Sequence, residues 1–437
     1  MRDMKDSGVP WIGKIPSGWE VKKVKYIAKR ITKGSGITKE EVFPDGDMPC
    51  VRYGEIYTKY NNSFKECYSA TKAEIHFSPQ YFSKGDILIA GTGELVEEIG
   101  KGIAYLGNDK CMAGGDIIIL TPIGDSIFMN YALNSSYAQA QKSQSKAKLK
   151  VVHISPSEIG EIRISLPLYE EQKRIADFLD AKCAEINSIL EKTRTSIDEY
   201  KKLKQSVITE AITKGIRGNR PKKDSGVEWI GMIPNEWKCL KIKHCFSLRD
   251  ERNTSPMEEV RLLSLYTELG VFPHGEHEER GNKAVTVDGY KIVQKNDIVV
   301  NIILAWMGAI GLSDYDGVTS PAYDIWKPNH PEVVPRYYHY VFRTRGIASE
   351  CYKYGRGIMM MRWRTYSDEF GQIYIPFPSM AEQQEIVDFL DEKGAIIDSL
   401  IASKEALIAE LESYKKSLIY EYVTGKKWVP VQEGGNV

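Results

Sequence analysis

Residues 166–180 read "LPLYEEQKRIADFLD", and residues 377–391 read "FPSMAEQQEIVDFLD". Both phrases carry a proline, a Glu-Gln pair and a Phe-Leu-Asp ending, 211 positions apart. The offset persists downstream, where Ser206, Glu210 and Thr213 answer Ser417, Glu421 and Thr424 without a gap. Neither segment meets another proline before its end, and each closes on a glycine, "TKG" at 213–215 and "TGK" at 424–426. This punctuation predicts two long helices, over about 167–215 and 378–426. At 1.5 Å per residue, ~45 residues reach about 65 Å.

The apolar spacing inside both segments alternates by three and four. It runs through Leu179, Cys183, Ile186, Leu190, Thr193, Ile197, Tyr200, Lys204, Val207 and Ala211, and again through Leu390, Gly394, Ile397, Ile401, Lys404, Ile408, Leu411, Lys415, Leu418 and Tyr422. That is a heptad seam with polar interruptions, and charged residues fill the other faces. Such helices are marginal alone, so the two are expected to pair with each other. Lys204, Lys415 and Gly394 leave a choice open: either the seam is offset locally, or these positions face another subunit.

A second phrase is also doubled. "KDSGVPWIGKIPSGW" at 5–19 and "KDSGVEWIGMIPNEW" at 223–237 agree at 11 of 15 positions. Between it and each helix lies a stretch of short β-rich runs, such as "GDILIAGTG" at 85–93, "GDIIILTP" at 115–122, "NDIVVNIIL" at 296–304 and "FGQIYIPFP" at 370–378, with shorter helical periods around 125–139 and 335–352. The expected fold class is α+β: two mixed domains, each with a mainly antiparallel sheet, and two long helices that pair as an antiparallel coiled coil with an internal pseudo-twofold repeat. The division expected is 1–166, a helical spacer and linker at 167–222, 223–377, and a helical spacer and tail at 378–437. The doubled phrases frame interiors that align only loosely, so the frame is repeated and its contents are not.

Composition narrows the function. No apolar run nears the ~18–20 residues that span a membrane, and the charged start "MRDMKDSG" lacks a signal-peptide core, so the expected location is cytoplasmic. Seven scattered cysteines without a CxxC pair read as reduced thiols. Fifty-nine basic and 59 acidic residues exclude a wholly basic nucleic-acid coat but leave room for a local basic face. No GxxxxGK[ST] loop is present, nor the Asn/Asp-Pro-Pro-Tyr of an adenine methyltransferase. "GTGE" at 91–94 reads as a turn, "HGEH" at 274–277 as a solvated loop without a third metal ligand, and His153 as a hydrogen-bonded or packed side chain.

What remains is basic. "KSQSKAKLK" at 142–150 carries Lys142, Lys146, Lys148 and Lys150; "KYGRGIMMMRWR" at 353–364 carries Lys353, Arg356, Arg362 and Arg364; neither contains an acid. Both precede the strand that leads into a long helix. Lysine and arginine neutralise phosphates, arginine pairs bidentately with guanine, and asparagine can read adenine. Arg52, Lys59, Asn61, Asn62, Arg249 and Arg252 complete the candidate DNA-binding set.

The doubled "P-x-x-x-E-Q-x-x-I-x-x-F-L-D" at 167–180 and 378–391, the "S-x-x-x-E-x-x-T" helix ends at 206–213 and 417–424, and the "GWE" opening at 18–20 with "EWK" at 236–238 resemble the specificity subunit of type I restriction-modification enzymes over nearly the whole chain. The resemblance implies that each globule is a target-recognition domain reading half of an asymmetric, split site in double-stranded DNA, with the paired helices as spacer. It implies a non-catalytic chain without its own cofactor. Two modification subunits would bring S-adenosylmethionine, and two restriction subunits, where they join, would bring ATP and Mg chemistry. The competing reading is a coiled-coil adaptor that binds protein without DNA specificity; a fused methyltransferase or nuclease is a third, against which the missing motifs speak.

Overall fold

Strand, proline and helix follow one another at both doubled phrases, and a computed structural model shows what each repeated position of the phrase does. The structure describes residues 2–93, 95–144, 152–267, 269–276, 286–357 and 363–430. The long helices are Tyr169–Lys214 and Met380–Val423. In the first turn, Glu171 accepts the indole N–H of Trp19 at 3.0 Å and pairs with Arg2. Glu382 likewise accepts from Trp237 at 2.8 Å and pairs with Arg220. The neighbouring glutamines act as clamps. Gln172 donates to the Pro167 carbonyl at 2.9 Å and accepts from the Asp125 N–H at 2.9 Å. Gln383 donates to the carbonyls of Pro378 and Glu332 and accepts from the Val334 N–H at 2.8 Å. The closing aspartates, Asp180 and Asp391, accept from the hydroxyls of Tyr131 and Tyr340. Between these polar ties, Ile175, Leu179, Ile386 and Leu390 are buried.

The hairpin phrases are built alike. Met4–Asp6 pairs with Lys14–Pro16, and Lys222–Asp224 with Met232–Pro234. Each turns on an aspartate that accepts the N–H of Gly8 or Gly226, at a φ of about 70° that an L side chain rarely adopts.

Contacts divide the chain into two units, Met1–Thr193 with Ala406–Val437, and Arg194–Glu405. Neither long helix belongs to one unit, and the helices form no separate body: each half adds to a globular core. In the first unit Leu179, Cys183, Ile186 and Leu190 share a core with Leu418 and Val423. In the second, Ala211 and Ile212 share one with Ile386 and Leu390. As the number rises along one helix, its partner's falls along the other. Phe178 meets Tyr422 and Lys415 bonds Asn187 in the first unit, while Lys404 lies over Tyr200 and Lys204 pairs with Asp398 in the second. The helices therefore run antiparallel, with every expected seam position buried or half-buried. The choice over the seam lysines is resolved: both stay on the seam and bond the sister helix. Gly394 sits beside the Lys204 stem.

In each unit a sheet separates two cores. The first sheet orders Ala28–Lys33, Ile117–Pro122, Ile87–Ala90, Gly102–Tyr105 and Ser63–Phe64, antiparallel except for the last pair. Alternation sends Ile87, Ile89, Ile118 and Leu120 to the core with the long helices, and Leu88, Ile117 and Ile119 to a second core with Val51, Phe82 and Tyr105. The second unit's antiparallel sheet orders Phe246–Leu248, Tyr323–Pro328, Ile298–Asn301 and Ile310–Leu312. There Ile298 and Val300 face the helices, whereas Val299 and Ile325 face the second core. The apolar run expected to be strand as far as 304 ends at Asn301. Among the described residues no helix is long and apolar enough to cross a membrane, and all seven cysteines are free.

Two expectations follow. Glu382→Ala leaves the buried Trp237 indole N–H without its acceptor and an Arg220 side chain only 11% exposed with Glu236 as its remaining carboxylate, and should destabilise by about 2–4 kcal/mol. Glu171→Ala leaves an Arg2 side chain that is 39% exposed, and should lose about 1–3 kcal/mol. Denaturant titration of both variants checks the ranking. Gly394→Ala, with its nearest neighbouring atom at 3.9 Å, should raise the unfolding free energy by about 0.8–1 kcal/mol in the same titration.

Candidate nucleic-acid interface

The two basic loops hang at the same point of the frame. The Ile154 N–H donates to the Gly91 carbonyl at 2.9 Å, and the Thr365 N–H donates to the Ile302 carbonyl at 2.9 Å. Gly91 and Ile302 each follow a central strand, Ile87–Ala90 or Ile298–Asn301. Lys146, Lys148, Lys150 and Arg362 lie outside the described residues.

The second loop leaves the helix Arg345–Tyr354, which Thr344 caps by accepting the Ile347 N–H. Arg356 and Arg364 exchange both backbone hydrogen bonds, at 2.9 and 3.1 Å, closing the loop base with both side chains exposed. The Trp363 ring stacks on Tyr352 at 5.2 Å and its N–H donates to the Tyr352 carbonyl. The Arg356 guanidinium lies 4.9 Å from the Tyr366 ring centroid and 3.1 Å from Glu369; Lys353, also exposed, sits 3.7 Å from Glu350. These contacts orient the cations and leave their outer faces free for phosphate.

In the first unit, residues 152–153 leave the basic loop and pair with Thr92–Gly93, and His153 bonds the Thr92 hydroxyl at 3.0 Å, as a hydrogen-bonded histidine was expected to. Tyr57 joins this strand to the helix Tyr53–Thr58 by donating to the carbonyls of Thr92 and Glu98. Arg52 caps that helix, half-buried, 3.4 Å from Glu55. Lys59 and Asn61 follow it and are exposed, Lys59 over the Tyr68 ring at 4.2 Å. Loop base, helix and the 59–61 segment thus form one contiguous surface.

Three candidates turn inward. Lys142 is buried, and its ammonium donates to the carbonyls of Gly100 and Leu133 at 2.6 and 2.7 Å. It pins a left-handed glycine turn to a helix end and has no face for a phosphate; burial brings its ammonium down to about 7. The Asn62 carboxamide oxygen accepts from Asn130 at 2.7 Å, which fastens it to the helix Ser126–Asn134 rather than to a base. Arg249 is buried against Asp297, at 2.8 and 3.3 Å, with Glu251 at 3.0 Å. Asp86, at the same point of the first unit's frame, also holds an arginine, Arg30, which reaches it from a ladder position two residues earlier than that of Arg249. Asp86 and Asp297 precede the central strands, so Arg249, and Arg252 with its Asp250 partner, stand at the opposite strand end from the basic loop. In "HGEH", His274 bonds Ser264 and His277 is outside the described residues; among the described residues no His/Cys/Asp/Glu group is placed to hold a metal.

The reading from sequence missed the turn after each central strand, Val96–Glu98 and Ala305–Met307. Its signal was the apolar "IILAWM", which reads as a continued strand until Gly308 is allowed its φ of 86°.

The family model described as the type I restriction modification DNA specificity domain matches residues 16–199 and 236–413. Each span opens in a hairpin phrase and closes inside the long helix that follows. Over 429 residues, 95% of each chain, the sequence is 24% identical to a Methanocaldococcus jannaschii chain assigned as the specificity subunit of type I restriction enzyme MjaX. It is 21% identical over 432 residues, 94% of each chain, to the same organism's MjaVIII specificity subunit. It is also 21% identical over 304 residues to the Escherichia coli EcoBI specificity subunit, 64% of this chain and 61% of that one. Among solved structures, a chain from a study of assembly and conformational transition of the type I R-M system superposes with a TM-score of 0.71 at 13% identity, over 94% of this chain and 99% of that one. The HsdS subunit from Thermoanaerobacter tengcongensis gives 0.54 at 13% identity, over 94% and 98%. These structural likenesses bear on the fold.

Buried Lys142 generates a pH expectation. Folded, it loses its proton near 7; unfolded, it keeps it to about 10.4. The unfolded chain therefore holds the extra proton between those values, and stability should rise with pH across that window by up to ~1.4 kcal/mol per unit. Unfolding midpoints at pH 7, 8 and 9 should climb in the natural chain, and the climb should be missing in Lys142→Met.

Proposed function

The chain belongs to the family of type I restriction modification DNA specificity domains, and from that premise we propose that it is the sequence-reading subunit of a type I restriction-modification complex. Each unit reads one half of a split target in double-stranded DNA. The observation that carries this reading is the pair of basic loops hung from identical backbone anchors, Ile154 to Gly91 and Thr365 to Ile302, on frames whose other contents differ. Like frames place two reading surfaces equivalently; unlike surfaces read unlike half-sites, so the target is asymmetric.

Physically, exposed lysine and arginine exchange counterions for phosphates and set the register, while neighbouring side chains test base edges. Two linked sites gain affinity through effective concentration, each strengthening the other without a new contact. The paired helices set the spacing of half-sites and offer their charged outer faces to partners. Catalysis, in this reading, belongs to those partners: two modification subunits that methylate adenine with S-adenosylmethionine, and restriction subunits that use ATP and Mg. Work on chromosomal DNA implies the cytoplasm.

The test is genomic. Expressed with its modification subunits, the chain should direct adenine methylation to one split motif with a fixed spacer. Exchanging residues 1–166 for a relative's should change one half-site alone, and inserting four residues in both helices should change the spacer alone. Methylation that ignores this subunit would overturn the proposal.

A further inference from the structure

The turn after the central strand differs in chemistry between the two frames. Both units place a leucine at the N-cap of one 3-10 turn, Val96–Glu98 or Ala305–Met307, but the chain enters and leaves the turn differently: Leu95 is extended and Ile99 follows at a φ of −57°, whereas Leu304 has a ψ of 9° and Gly308 follows at a φ of 86°. In the first unit Leu95 is followed by Glu97 and Glu98; in the second Leu304 is followed by Trp306 and Met307. Each turn leans on the helix that launches its basic loop. Gln139 and Ser143 donate to the Val96 carbonyl, and the Trp306 ring lies 6.0 Å from Tyr352, which in turn stacks on Trp363 in the basic loop.

The second turn is rigid at its base and apolar at its edge. Ala305 is buried, the Trp306 N–H donates to the Ile303 carbonyl at 3.0 Å, and the Ala309 N–H returns to the Leu304 carbonyl at 3.1 Å. Yet Leu304 is 36% and Met307 54% exposed, where the fold has no packing use for them. An apolar edge beside exposed Lys353, Arg356 and Arg364 calls for a ligand that is apolar at one point and anionic on either side. In the major groove a thymine offers that combination: a 5-methyl group on the base edge, flanked by phosphates.

We propose that this turn is a base-reading element of the second unit, with Leu304 and Met307 packed on the 5-methyl group of one thymine and the loop cations on the adjoining phosphates. The assignment rests on the sequence-reading role proposed above and deepens it. Glutamate at the same place in the first unit would instead accept from a base amino group, so the turn alone makes the half-sites unlike.

The experiment selects duplexes from a random pool with the full chain in complex with its modification subunits, comparing the natural sequence, Met307→Ala and Leu304→Ala, each checked for an unchanged unfolding midpoint. The natural complex should select a split motif, and the variants should lose preference at one thymine of the second half-site while the first half-site stays intact. Replacing that thymine by uracil, which removes only the methyl group, should weaken binding about fourfold in the natural complex and not in Met307→Ala. If the natural complex selects no motif, the sequence-reading role itself fails. If it selects one but the variants keep every preference, weaken all sequences equally, lose a partner subunit instead, or if uracil is tolerated throughout the second half-site, this inference is overturned and the role stands.

Discussion

An indole N–H bonded to a first-turn glutamate, Trp19 to Glu171 and Trp237 to Glu382, is the tie on which the rest of the structure depends. It fixes three things together. It joins the hairpin phrase to the start of a long helix, it satisfies a polar atom on a buried tryptophan, and it places a carboxylate where the unpaired N–H groups of a helix start favour negative charge. Arg2 and Arg220 complete the arrangement from the strand side. Because a glutamine one residue on holds the proline carbonyl and a second helix, the long helix leaves each globule in a set direction.

The sheet then divides labour within each unit. Its helix-facing side is packed by the doubled phrases, so that core must stay alike in both halves. Its other side closes over residues that share no pattern, Val51, Phe82 and Tyr105 in one unit, Leu263, Val271 and Val293 in the other. Period-two alternation along strands such as Ile117–Pro122 lets one strand serve both cores, so residues on the second side can change without repacking the first. A chain that must keep its scaffold while altering its target gains from that separation.

The fold was legible because its signals are periodic. The seam spacing, the proline starts and the glycine ends gave helices that the structure begins and ends within a few residues of the expected bounds, and Lys204 and Lys415 stay on the seam because Asp398 and Asn187 meet them. The candidate interface was legible only in part. A basic letter in a basic run does not say which way its side chain points. Lys142 precedes three more lysines yet ends between two carbonyls, since the last turn of its helix faces the core; Arg249 reads as a surface cation until Asp297, 48 positions on, is brought beside it. Those facts depend on long-range packing that local composition does not carry. The repeat did contain a clue: Asp86 stands where Asp297 does and also holds an arginine from the edge strand of its sheet, and a pairing that recurs with the frame is scaffold rather than content.

That criterion also sorts the surface. Pairings and residues that recur between frames, the Arg–Asp pair, the tryptophans and the clamp glutamines, hold geometry. Residues that follow the same strand in each frame but are unlike in chemistry, such as Glu98 and Met307, carry no such duty and are free to differ with the target. The basic loops satisfy both halves of the test: their backbone anchors are matched, Ile154 to Gly91 and Thr365 to Ile302, while the side chains they carry are not. Phosphates are the same along any duplex and bases are not, so a surface with matched placement and unmatched side chains is what reading two different half-sites requires.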